Sequence, residues 1–195
     1  MSAQLMWVIV IVAVAVVIAA AAFLLARRRQ SERLRQRFGP EYERAVNETG
    51  TVATAEARLR AREARVERLN IRPLSSSDAA RFSTAWREVQ THFVDDPSGA
   101  IVDADRLVGE VMHARGYPMS EFDQRVADIS VDHPHVVTNY RAARDIARNH
   151  VRGQASTEDL RQAMVHYRAL FTDLLQTEPQ AATAPRAAVA GRSRS

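Results

Sequence analysis

The chain contains no cysteine and no lysine. The missing thiols exclude disulfides, thiolate nucleophiles and cysteine-ligated zinc, and they fit reducing and oxidising surroundings alike. All 27 basic residues are Arg. With abundant Ala, this points to GC-rich coding, as in a high-GC bacterial genome, and not to a function. Glycine and proline are sparse, at seven each, and aromatics make up 6%. Poverty in helix breakers together with Ala, Arg, Glu and Leu favours helix over sheet. No segment alternates β-branched residues with period two, so strands are not expected.

One sign of charge is almost absent from each end. Residues 1–39 hold six Arg and one Glu, residues 40–178 hold 18 Arg against 22 acidic residues, and residues 179–195 hold three Arg and no acid. The formal net charge of +4 therefore conceals a mildly acidic middle. That distribution argues against a nucleic-acid-binding body, whose basic face would lack compensating carboxylates.

What the N-terminal region has is a long apolar run. Leu5 to Ala26 is unbroken and uncharged for 22 residues. At 1.5 Å per residue the run spans about 33 Å, enough for a hydrocarbon core of about 30 Å. Trp7 stands where an indole favours the interface. Arg27, Arg28, Arg29, Arg33, Arg35 and Arg37 follow and are expected to contact anionic headgroups. The positive-inside rule then puts residues 1–4 outside and the body in the cytoplasm. The competing reading is a cleaved secretory signal, with the small residues Ala20 to Ala22 as a cleavage site. A signal carries its charge before a shorter apolar core, and here the charge comes after a long one.

Beyond the anchor the helix should continue to Phe38, where Gly39-Pro40 interrupts it. Residues 27–39 read as a basic juxtamembrane segment and residues 40–70 as a charged stalk helix loosened at Gly50. Its stripe of Val52, Ala55, Leu59, Arg62, Val66 and Leu69 has too few good heptads for a firm coiled coil, though homo-oligomerisation through it is an open expectation. Residues 71–176 read as a compact bundle of about five helices, making the fold all-α. Ile71 to Leu74 should be extended before and around Pro73. Ser75 to Asp78 supply a cap for a helix bearing Phe82, Trp86 and Val89, and Asp96 with Pro97 starts the next one. Ser120 is expected to open a third helix, Asp132-His133-Pro134 to break it, and Gly153 to end a fourth. Ser156 and Asp159 form the capping-box pattern of the last. Residues 177–195 lack apolar bulk and are expected to be disordered.

Several segments together carry a resemblance: Phe38-Gly39-Pro40-Glu41-Tyr42, Arg72-Pro73-Leu74-Ser75, Phe93-Val94-Asp95-Asp96-Pro97, Arg115-Gly116-Tyr117-Pro118, Asp132-His133-Pro134, Tyr140-Arg141 and Leu160 to Arg168. In this order they resemble an uncharacterised family of short bacterial proteins with an N-terminal apolar segment, over roughly residues 34 to 175. That resemblance implies a membrane anchor and a helical body. It implies no activity, cofactor or catalytic residue.

The polar clusters have only their own chemistry to point to a role. His92, Asp95, Asp96, Asp132, His133 and His135 are metal-ligand types, but Asp-His-Pro is also an ordinary helix boundary and no His-Glu-x-x-His pattern occurs. Asp95 to Asp105, with Asp103, lacks the register of a calcium loop. His166 and Tyr167 lie within a helix, with Tyr167 on its apolar stripe. No Gly-x-Ser-x-Gly and no phosphate-binding glycine loop is present. No catalytic residue, cofactor or metal is therefore expected. The leading expectation is a single-pass membrane protein whose body offers a surface to an unknown protein partner, with Trp86 and Tyr117 as the candidate surface aromatics and no nucleic acid bound. The alternatives are a metal-binding or hydrolytic domain built on the His92–Asp96 and Asp132–His135 loops, and a secreted domain with a cleaved signal.

Overall fold

The computed structural model describes residues 3–176, which form eight α-helices and no strand. The expected disorder of residues 177–195 lies outside the described residues. In chain order the helices are α1 (Ala3–Phe38), α2 (Pro40–Thr49), α3 (Val52–Val66), α4 (Ser76–Asp95), α5 (Pro97–Ala114), α6 (Phe122–Asp132), α7 (Pro134–Val151) and α8 (Thr157–Leu175). The sequence punctuation accounts for most boundaries. Gly39 takes a positive φ of 47° and Pro40 begins α2. Gly50, at φ 75°, ends α2 in the left-handed region that glycine tolerates. The stalk region is thus two helices, because the turn at Gly50 reverses the chain and Thr51 caps α3. Ser75 and Asp96 cap α4 and α5 through hydrogen bonds to the amides of Asp78 and Gly99. Ser156 and Asp159 form a reciprocal capping box on α8. One expected cap is displaced: α6 begins at Phe122 after Glu121, with no side-chain cap, and Ser120 lies outside it.

The chain divides into two compact units, with one division between Leu69 and Asn70, near the expected boundary, and a further segment of the expected bundle, Ser120–Thr138, assigned to the first unit. The first contains the residues up to Leu69 together with Ser120–Thr138. The second contains Asn70–Met119 and the residues from Asn139 on. In the first unit α2 and α3 pack as a hairpin, α3 packs on α6, and the end of α1 packs on all three. Leu34, Phe38, Tyr42, Leu59, Val126 and Ile129 are buried. The stripe of α3 therefore has an intramolecular partner. Ala55, Leu59 and Val66 are covered, which leaves no free apolar seam of the kind a two-stranded coiled coil requires. In the second unit α5 packs against α4 and α8, around Phe82, Ile101, Leu107, Val111, Leu170 and Phe171.

Helix α1 has two different halves. Its residues from Ile11 to Leu25 leave their large apolar side chains 52–67% exposed, and no protein covers the apolar window. Further along the same helix Leu34 and Phe38 are buried. One helix near the N-terminus is thus long and apolar enough to cross a membrane, and it runs without a break into a folded core.

Candidate functional site

The most connected polar region lies in the first unit, where α1 leaves its apolar half. Tyr42, buried at the start of α2, places its hydroxyl 3.3 Å from Ser31 Oγ on α1 and donates to Glu56 Oε1 on α3 at 3.0 Å. Arg62 of α3 lies 3.6 Å from Glu41 of α2 and donates to Ser130 Oγ of α6 at 3.2 Å. Arg65 Nε donates to the fully buried Asp128 Oδ1 at 2.8 Å, and Gln124 Nε2 donates to the same oxygen at 2.7 Å. On α1, Arg37 pairs with Glu63 at 3.2 Å and reaches Asp132 at 3.9 Å. Arg33 reaches Glu63 at 3.9 Å. Four helices are tied by charged groups, several of them buried. Each such group must be paired, because an isolated buried charge is strongly unfavourable. The arrangement is a clamp on the end of α1.

This geometry divides the six arginines first taken together as a headgroup patch. Arg27, Arg28 and Arg29 are exposed. Arg35 is open but pairs with Glu43 at 3.7 Å, and its guanidinium sits 5.0 Å from the Tyr42 ring centroid. Arg37 is half-buried and belongs to the clamp. Its guanidinium is thus held by Glu63 and Asp132 within the folded unit.

The two aromatics expected at a partner surface are inside. Trp86 is 6% exposed and stacks on Phe171 with ring centroids 4.7 Å apart. Tyr117 is 1% exposed, beside Gly116. Trp86 belongs to the helical spacing of a core on α4, and Tyr117 is buried in the segment that follows α5. Exposed large apolar side chains in the body, such as Val94 and Val102, are scattered singly, as on any soluble surface.

The candidate metal residues do not assemble. His92 Nδ1 lies 3.0 Å from Asp103 Oδ2, and its Nε2 is 3.8 Å from Asp96. Arg106 bonds the same Asp103, and that bond, followed by the one from His92, holds the Asp103 carboxyl below its ordinary pKa. Asp95 is exposed. Asp132, His133 and His135 stand in the other unit, where Asp132 meets Arg37. Among the described residues no group of three His, Asp or Glu side chains is placed to hold a metal ion. His166 hydrogen-bonds Asn139 at 2.9 Å. Tyr167 donates to Asp105 Oδ1 at 3.1 Å, and Arg144 approaches Asp105 Oδ2 at 3.3 Å. Burial first, then the Asp105 charge, pushes the Tyr167 phenol above its ordinary pKa. It stays neutral and structural.

Most members of the clamp escape a linear reading. Arg62 stands out, as a cation on an otherwise apolar stripe. Its partners Glu41 and Ser130 are remote in sequence, and only folding identifies them. Compared with protein-family models, with curated proteins and with solved structures, the chain matches none.

Proposed function

We propose that this protein is a single-pass membrane-anchored scaffold, held by the apolar half of α1 with its helical body on the cytoplasmic side. The observation that carries the reading is the continuity of α1. An uncovered apolar stretch of membrane-spanning length becomes, within one helix, a buried and ion-paired part of a folded unit. A flexible tether would let the body wander. A clamped helix instead sets how far the first unit stands from the bilayer, which is useful for presenting a protein surface to a partner at the membrane.

Arg27, Arg28 and Arg29 supply the orientation, since positive charge flanking a span favours the cytoplasmic side. Each is worth about 1 kcal/mol against an anionic leaflet. The topology is tested with reporters fused after Ser195. A fluorescent protein that matures only in the cytoplasm should shine there, and a phosphatase active only outside should stay silent. An active phosphatase would overturn the orientation. Intact mass of the protein from membranes, including Met1 or Ser2, is expected for an uncleaved anchor, and loss of the residues before Phe23 would overturn it. The scaffold role is tested by capture from solubilised native membranes. Proteins should be enriched on the full chain over a chain ending at residue 38, and equal recovery on both would remove this part of the reading.

A further inference from the structure

The turn between α2 and α3 faces a question the clamp does not answer. Thr49 to Ala55 carry no charge, in a stretch otherwise dense with Arg and Glu. By contrast, Asp95 and Asp96 stand at the α4–α5 junction and Asp132 at the end of α6. Within the turn Val52 is 46% exposed.

The contacts of α3 with α1 indicate the level at which this turn lies. Glu63, near the end of α3, meets Arg33 and Arg37. These are seven and 11 residues past Ala26, or about 10–16 Å of helix. Glu56 instead shares the Tyr42 hydroxyl with Ser31, only five residues past Ala26 and about 7.5 Å along. Following α3 backward thus descends along α1 toward its apolar half. Val52, one further turn back, falls near the level of Arg27 to Arg29.

The threonine hydroxyls of the turn, and the Gly50 and Thr54 amides, are already bonded within it. Thr49 Oγ1 donates to the carbonyl of Ala45 at 2.7 Å, and the Gly50 amide donates to Val46 O at 2.9 Å. Thr51 Oγ1 donates to Thr54 Oγ1 at 2.8 Å and accepts from the Thr54 amide at 3.3 Å. Such groups lose little on leaving bulk water, because the cost of desolvation falls mainly on unpaired ones. Two acids bracket the turn and both are paired: Glu48 is held between Arg44 at 2.8 Å and Arg58 at 3.3 Å, and the buried Glu56 lies 3.8 Å from Arg60, so neither meets anionic headgroups as a free carboxylate.

We infer that the α2–α3 turn is a second membrane contact, resting in the headgroup layer of the bilayer that α1 crosses. This rests on the transmembrane reading of α1 and adds to it. One helix alone leaves the first unit free to tilt and to spin about the span. A second contact, beside the first, removes both freedoms from the first unit and presents one face of it to the cytoplasm.

The cysteine-free chain makes the test direct. Single-cysteine variants Val52→Cys, Ala64→Cys and Val17→Cys of the full chain are labelled with an environment-sensitive fluorophore. They are reconstituted in phosphatidylcholine–phosphatidylglycerol vesicles containing spin-labelled lipids. Val52 and Ala64 lie 12 residues apart on α3, about 18 Å, so a headgroup-borne quencher should quench the Val52 label about twofold or more over the Ala64 label. Equal quenching at the two positions overturns the inference while leaving the anchor intact. An acyl-chain quencher should quench the Val17 label. If it does not, the transmembrane reading itself fails and the second contact fails with it.

Discussion

Arg62 has a side chain of the kind normally found at a surface, yet it stands among buried apolar neighbours on α3. Its burial is tolerable because Glu41 and Ser130 receive its guanidinium. Removing one partner leaves the other charge buried without its ion pair. Arg62→Met should therefore destabilise the protein by about 3 kcal/mol. Glu41→Met combined with Arg62→Met should lose less than the single change, since two apolar groups replace a charge pair without leaving an orphan. Urea denaturation in detergent, followed by circular dichroism, measures both. Gly116 illustrates a backbone requirement. It adopts φ 98°, and a Cβ there would collide with the carbonyl oxygen of Asn70. Gly116→Ala should cost about 2–3 kcal/mol in the same assay, from the strained conformation and the displaced strand of chain together. No change in its midpoint would show that the turn relaxes freely.

At the scale of elements, the first turn of α8 offers a pH signature. Glu158 is held down to about 2 from an ordinary 4.5, by hydrogen bonds from Arg161 and then Gln162. Asp159 is lowered as well, chiefly by its bonds to Ser156. A carboxylate whose folded pKa lies below its unfolded one stabilises the fold above the unfolded value. That contribution fades as pH falls through the folded value. The stability difference between wild type and Glu158→Gln should thus be present above pH 4.5 and shrink toward pH 2. A difference constant over that range would mean that the side chain acts by something other than its charge. Ser156→Ala removes the cap itself and should cost about 1 kcal/mol, read from the same denaturation curves. Helix starts such as these were legible in the sequence because a cap is local: Ser75, Asp96 and Ser156 each bond an amide three residues on. Ser120 shows the limit of that reasoning. It has a capping residue's chemistry, but the chain enters α6 one residue after it through Glu121.

For the whole molecule, orientation is the property with the largest consequence. Reversing Arg27, Arg28 and Arg29 to Glu replaces the positive flank of the span with a negative one. In the proposed topology the positive-inside preference then no longer favours a cytoplasmic body, and the phosphatase fusion should gain activity in a fraction of molecules. An unchanged reporter pattern would show that Arg33 to Arg37 suffice, despite their ties to Glu43, Glu63 and Asp132. The same scale explains why the expected surface failed. Trp86 and Tyr117 are candidates because large aromatics often anchor partners, but both occupy core positions, Trp86 on α4 and Tyr117 just after α5. Which of the two roles an aromatic takes depends on whether another helix covers it, and α8 brings Phe171 onto Trp86.

The sequence by itself determined the membrane-length apolar run, the all-helical class and most helix ends, because hydropathy, propensity and capping act over a few neighbouring residues. Only the tertiary structure decided that the supposed stalk folds back as a hairpin, that α6 joins it across more than 50 residues of chain, and that Arg37 serves a clamp. Pairings of that kind are set by which apolar faces meet and which buried charges must be matched, and neither leaves a pattern in a linear reading.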